Sequence, residues 1–208
     1  MISTKKIAPS NASIGRELSA LMDIHKEEKN IAIFQRDISP LHKTLHNLKD
    51  QSIECRAIGS IKEITETLDT YFSDHLLKSK VLQNDIIDLL YRFQEVAKVD
   101  SFRIYFATID NDMCRKFHTD INTLRLLCTY VGPGTLWLSD EIADQDPDQD
   151  FIHEEDIYQV ETGNVLILKG ALYPNAKAVM HRSPSIESKG SRRLLLRIDT
   201  NETLNHWI

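Results

Sequence analysis

His118 and Asp120 stand two residues apart in the stretch 114–130, CRKFHTDINTLRLLCTY, at the mouth of an apolar run. In a strand, residues i and i+2 project to the same side. The pair can therefore bring an imidazole nitrogen and a carboxylate oxygen to one point. Two ligands hold a metal ion poorly, so a third must come from another strand. His181, in AVMHRSP and 61 residues beyond Asp120, is the candidate. Two histidines and a carboxylate make the facial triad of non-haem Fe(II) sites, with coordination positions left open. The bland readings are a surface turn with an Asx bond for His118 and Asp120, and a satisfied core histidine for His181.

Arginines supply the second chemical signal. Arg125 lies inside NTLRLLCTY, where a charge costs free energy unless paired. It can bind a carboxylate of a substrate or cosubstrate, or bridge to an acidic residue of the chain; both stay open. In RRLLLRID, alternation sorts the side chains. Arg193, Leu195 and Arg197 share one face; Arg192, Leu194, Leu196 and Ile198 share the other. The second set suits packing, with Arg192 escaping to solvent at the strand's start. The first set calls for anions and should line the metal cavity, with Arg193 as first contact. Arg197 is then either a second contact or the partner of a buried acid such as Asp110.

Other candidates are weaker. His42 and His46 are four apart on an expected helix, but the intervening KTL lacks the glutamate of a zinc-protease motif, so a solvated face is expected. The segment 139–156 holds nine carboxylates, and Asp144, Asp146, Asp148 and Glu155 fall at calcium-loop offsets. Gln149 replaces the glycine such a loop needs. The segment reads as an exposed loop that could overhang the site. Cys114 and Cys128 flank the HxD segment; thiolates can join a softer metal site, but core packing is the expectation.

The elements that must position these residues change character along the chain. Residues 1–100 read as mainly helical. SIGRELSALMDIHKEE carries Ile14, Leu18, Leu21 and Met22 at helical spacing. NIAIFQRDI reads as a short strand. SPLHKTLHNLKD starts with Ser39 as an N-cap and Pro40 in the first turn. Ser60 and Glu63 have capping-box spacing. The stretch 81–97 places Leu82, Ile86, Leu89, Leu90, Phe93 and Ala97 on one face. From residue 101, SFRIYFATID, LRLLCTYV, TLWLSD, DIYQV, NVLILKG, AVMHRS and RRLLLRID are short β-type runs separated by turns. Such a series suggests a sandwich or closed barrel. Helices first and strands later suggest an α+β fold with helices on one face of a β core.

Over 208 residues with 41% hydrophobic and 27% charged content, one domain, 1–208, is expected, with 1–100 a helical flank and 101–200 the β core. A net charge of −6 argues against a sequence-independent nucleic-acid binder. The N-terminal MISTKKIAPSNAS lacks a signal's apolar core and no run approaches a membrane span, so no membrane partner and a cytoplasmic location are expected. Three cysteines without CxxC spacing argue against a disulfide framework.

The parts HTD (118–120), TGNVLILKG (162–170), MHRSP (180–184) and SRRLLLRID (191–199) together resemble the Fe(II)/2-oxoglutarate-dependent dioxygenases over roughly residues 101–200. The resemblance implies a double-stranded β-helix, a cupin-like jelly roll, with Fe(II) held by His118, Asp120 and His181. It implies 2-oxoglutarate as cosubstrate, its far carboxylate on an arginine (Arg193, then Arg197 or Arg125), and oxidation of an unknown small-molecule or protein substrate. One position departs: the family often carries Arg-x-Ser on its last strand, and here the residue two after Arg193 is Leu195. That departure favours the alternative, a non-enzymatic cupin-like metal-binding or metal-handling protein. The run HTDINTLRLLCTYVGPGTLWL is also similar to an uncharacterised bacterial family described only as a domain of unknown function. Oligomeric state is not legible.

Overall fold

The computed structural model describes residues 8–74, 79–146, 149 and 151–201. Its frame is a seven-stranded sheet. In chain order the strands are β1 (Ala12–Gly15), β2 (Ile31–Phe34), β3 (Glu54–Gly59), β4 (Phe102–Ile109), β5 (Leu124–Val131), β6 (Leu136–Trp137), β7 (Tyr158–Gln159), β8 (Val165–Lys169), β9 (His181–Arg182) and β10 (Arg193–Thr200). The large sheet runs β1-β2-β8-β5-β10-β4-β3; a three-stranded sheet runs β7-β6-β9. All pairings are antiparallel except β1 with β2.

All seven β-type runs expected after residue 101 are strands. The mainly helical first hundred residues hold the expected short strand, β2, and two strands that were not expected, β1 and β3. The stretch 13–28 is corrected in particular. Ser13 and Ile14 lie in β1, and only a 3-10 helix follows, at Leu18–His25. Gly15 turns the chain so tightly that a Cβ there would meet the Cβ of Ala20 at 2.9 Å. The buried residues of that turn are Leu21 and Ile24, while Ile14 and Met22 are exposed. The β3 stretch hid from pattern reading because its exposed and buried positions mix small and charged residues.

The long helices are as expected. α1 (His42–Leu48) follows a 3-10 turn at Ser39–Leu41 with Pro40 near its start. Ser39 does not cap it. Asp37 instead braces the turn, accepting from the Ser39 N–H at 2.8 Å and from its hydroxyl at 2.7 Å. α2 (Ile61–Asp74) has the reciprocal box: Ser60 N donates to Glu63 Oε2 at 2.7 Å and Glu63 N to Ser60 Oγ at 3.4 Å. α3 (Lys80–Ala97) is capped by Ser79 and buries Leu82, Ile86, Leu89, Leu90 and Phe93. These side chains join Leu126, Cys128, Leu194, Leu196 and Ile198 in one core on the helix side of the sheet. On the opposite face, the small sheet packs Trp137 and Val160 against Leu127, Leu166 and Leu168.

Among the described residues, no helix is long and apolar enough to cross a membrane.

Candidate metal centre

The three expected ligands meet. One ligand atom from each of His118, Asp120 and His181 lies within 4.8 Å of the others, and this is the one such group among the described residues. Backbone geometry brings them together. His118 and His181 form a lone antiparallel bridge: each N–H donates to the other's carbonyl at 3.0 Å. Their rings sit side by side, 4.7 Å between centroids. Asp120 is placed by the end of β8. Ala171 N donates to the Asp120 carbonyl at 2.8 Å. Gly170 permits that approach, since a Cβ there would lie 2.2 Å from the Asn122 carbonyl oxygen.

The side chains are oriented as well as gathered. His118 Nδ1 lies 3.1 Å from the Lys116 carbonyl, and His181 Nδ1 3.2 Å from the Val179 carbonyl. A carbonyl oxygen only accepts, so each Nδ1 is assigned the proton and a neutral ring turns its Nε2 lone pair inward. His181 Nε2 is 3.2 Å from Asp120 Oδ2, and His118 Nε2 is 3.8 Å from Asp120 Oδ1. Asp120 Oδ2 is buried without a hydrogen-bond donor of its own. Two acceptors so close repel unless a proton or a cation lies between them. Burial works against the charge of Asp120, but with a proton in that place His181, Arg125 and His118 outweigh it and hold the carboxyl below its ordinary range. The donor set is what a divalent first-row metal takes, so the residues fit such an ion.

Arg125 resolves into the structural alternative. Its NH1 pairs with Asp120 Oδ1, and its Nε reaches Asp199 Oδ1 at 2.5 Å. Asn122 also donates to Asp199 Oδ1, at 3.1 Å. Arg125 thus occupies one oxygen of Asp120 and leaves the other facing His181. Arg197 does not meet Asp110. Its Nε lies 3.1 Å from Asp199 Oδ2 but out of hydrogen-bond alignment, and its guanidinium stands 5.3 Å from the Tyr105 ring. Asp110 instead faces Arg192 at 4.0 Å. The reason is register: Asp199 stands two residues from Arg197 on the same face of β10 and directly opposite Arg125.

Arg193 is the unusual cation. It is 2% exposed and has no carboxylate partner among the described residues. Its NH1 donates to Ser183 Oγ at 3.2 Å, its NH2 to Thr129 Oγ1 at 3.0 Å and Thr135 Oγ1 at 3.4 Å, and its Nε has no acceptor. Burial pulls its pKa down to about 10. Arg193 lines the same cleft as His118, His181, Ser183 and Thr135, a cavity of about 70 Å³. The hydroxyls were not read from the sequence. Ser183 carried a signal, standing two residues after His181 and so on the same side of that strand; Thr129 and Thr135 are brought in only by long-range pairing.

The remaining candidates lie elsewhere. His42 and His46 are exposed on α1. In the acidic segment, Asp144 pairs with Lys177 at 2.5 Å and Asp146 accepts from Phe151 N at 2.7 Å, while Asp148 falls outside the described residues. That segment includes α4 (Asp140–Gln145), and Gln149 clamps Phe117, donating to its carbonyl at 2.8 Å and accepting from its N–H at 3.1 Å. Cys128 is core on the helix side, where burial pushes its thiol up to about 11. Cys114, expected in the core, is exposed on the cleft rim.

Residues 15–199 match the family described as protein of unknown function DUF1826, a span that takes in the triad, Arg125 and Arg193. The chain belongs to that family. No curated protein matches it. Among solved structures, the DUF1826 chain is similar to dioxygenase for auxin oxidation 1 of Arabidopsis thaliana in its 2-oxoglutarate complex, at 12% identity and a TM-score of 0.48 over 95% of this chain and 94% of that one. A Pseudomonas putida prolyl-4-hydroxylase is similar at 11% identity and a TM-score of 0.45, over 95% of this chain and 99% of that one. A full-length Neurospora crassa protein in complex with alpha-KG is similar at 12% and 0.45, over 89% and 79%. Likenesses of this size carry no argument about the chemistry; the geometry of the site carries it.

Proposed function

We propose that the chain is an Fe(II)- and 2-oxoglutarate-dependent oxygenase. The observation that carries this is Arg193: a buried guanidinium that meets no carboxylate among the described residues, ringed by hydroxyls, on the wall of the cleft that holds two histidines and an aspartate. A buried cation in that state is costly until an anion meets it. A dicarboxylate with one end at the triad and the other on Arg193 satisfies both demands.

His118, Asp120 and His181 would hold the metal. When bound, Fe(II) activates dioxygen as 2-oxoglutarate is oxidised to succinate and carbon dioxide, leaving one oxygen atom for the substrate. The chain's own residues bind and orient. Arg125 holds one oxygen of Asp120 so that the other points inward. The Lys116 and Val179 carbonyls hold the imidazoles in the tautomer that offers Nε2. Arg193 binds the distal carboxylate with a fork, and Ser183 and Thr135 add hydroxyls beside it. Ser183 and Thr135 supply beside Arg193 the hydroxyls that Leu195 cannot, which supports a cosubstrate site over a metal-handling protein.

We read the two antiparallel sheets, with the cleft between them, as a double-stranded β-helix, and residues 1–208 as one domain. The shared core of α3 and β10 supports the second reading. We place the protein's work in the cytoplasm, on the strength of three free cysteines. The test is succinate release from 2-oxoglutarate under oxygen by metal-loaded protein. Wild type should release succinate, and Asp120→Asn should lose it together with at least about tenfold in metal affinity. Wild type that binds metal yet neither binds nor turns over 2-oxoglutarate would leave a metal-handling protein instead.

A further inference from the structure

The face of the large sheet that carries Arg193 is only partly covered. The small sheet covers β8 and β5, and Ile186 packs on Ala107 and Ile109. Beyond them no described residue covers the face over β4 and β3, where Arg103, Arg56 and Ile58 are exposed. Register puts two rows of side chains across it. One row is Arg197, Tyr105 and Arg56; the other is Arg125, Asp199, Arg103 and Ile58. Tyr105 has the Arg56 guanidinium 4.7 Å from its ring centre and that of Arg197 at 5.3 Å.

Four arginines besides Arg193 therefore share this face with the carboxylates of Asp199 and Glu54, and Arg125 also meets Asp120. Asp199 is already divided between Arg125 and Arg197. Glu54 pairs with Arg56 in the open, at 2.8 Å, where such a pair is worth little. Arg103 donates to Asn201 Oδ1 at 2.7 Å and forms no ion pair with a described acid. Arginines at a sheet edge can serve merely to block edge pairing. Arg103 and Arg197, however, lie on interior strands, where no such guard is needed. The trough they line, about 260 Å³, shares Tyr105 and Arg197 with the metal cleft, so the two spaces adjoin.

We propose that this open face binds the anionic end of a small-molecule substrate, a carboxylate or phosphate held by Arg103, Arg197 and Arg56, while its other end reaches the metal triad. The assignment rests on the oxygenase reading for what happens at the triad, and on the arginine rows alone for the anion. Tyr105 and the exposed Ile58 give an apolar floor beside the charges.

The experiment is calorimetric titration of full-length protein, loaded with Mn(II) and 2-oxoglutarate, with phenyl phosphate, benzoate and neutral benzamide. One or both anions should bind and benzamide should not; which anion binds better names the headgroup. Arg103→Glu and Arg56→Glu, both at exposed positions, should each weaken the anion by about tenfold or more. Arg92→Glu on α3 should bind as wild type does. The proposal is overturned if neither anion binds, if Arg103→Glu binds them unchanged, or if only a polyanion such as heparin is held on this face. Anion binding that depends on Arg103 in a protein that takes up no 2-oxoglutarate would remove the oxygenase reading and leave the anion site standing.

Discussion

The two faces of β10 are built from alternate residues of one strand, yet they solve opposite problems. Leu194, Leu196 and Ile198 face the helices and are buried among apolar side chains. Arg193, Leu195 and Arg197 face the cleft, and two of the three are cations. The first face gains free energy from every atom it buries. The second gives some up, because Arg193 is held out of water with hydroxyls for company. Stability and chemistry are thus separated by a single step along the chain, and substitutions on the two sides should fail in different ways.

The largest effect belongs to the helix side. Leu89→Asp would put an unpaired charge into the core shared by α3 and β10 and should cost roughly 4 kcal/mol or more. Chemical denaturation measures it; a neutral result would mean the two faces are not divided as described. On the cleft side, Arg193→Ala should weaken 2-oxoglutarate binding to the metal-loaded protein by about 2–3 kcal/mol, read by calorimetry. The contrast is sharpened by Arg193→Met. It should lose the same binding while leaving the ligand-free protein as stable as wild type or more so, because an uncompensated buried charge is gone.

The smallest effect concerns the rim. Asp112 accepts from Ile186 N at 2.7 Å, Glu187 N at 2.9 Å and Ser185 Oγ at 2.8 Å, tying one cleft loop to another. Those bonds hold its pKa down to about 2, from an ordinary 3.8. A depressed carboxyl contributes stability that is complete above the ordinary value and lost as pH falls toward the folded one. The tie should therefore persist at pH 5 and fade between about pH 4 and pH 2. Asp112→Asn should remove that contribution, seen as a shallower acid-side slope in thermal unfolding, while the lowered carboxyls of Asp23, Asp37, Glu63 and Asp120 keep the rest.

The sequence carried the site better than it carried the frame. His118, Asp120 and His181 were legible because ligand chemistry restricts residue types; the strand expected through 118–120 is absent, since only His118 makes a β-bridge and β5 begins at Leu124. The split of β10 into two faces was legible from strand alternation. β1 and β3 were not, because a four-residue parallel strand and a charged edge strand have no period of their own; their partners make them strands. The acid that meets Arg125 and Arg197 was hidden in a different way. Asp199 sits two residues past Arg197, in plain view, but its use depends on β5 lying alongside. Cross-strand register is a property of pairs of segments, and no single window of sequence contains it.

The backbone bridge between His118 and His181 has one more consequence. Two reciprocal main-chain bonds join residues 63 apart in sequence, and neither involves a side chain. The coordinating groups are thus already assembled by the fold itself, unlike a zinc finger, whose ion must arrive before the chain can close. Chelation should strip the ion without melting the protein, and reloading should be a simple, reversible titration. In a cell, the occupant of such a prebuilt seat is set by which ions are in supply.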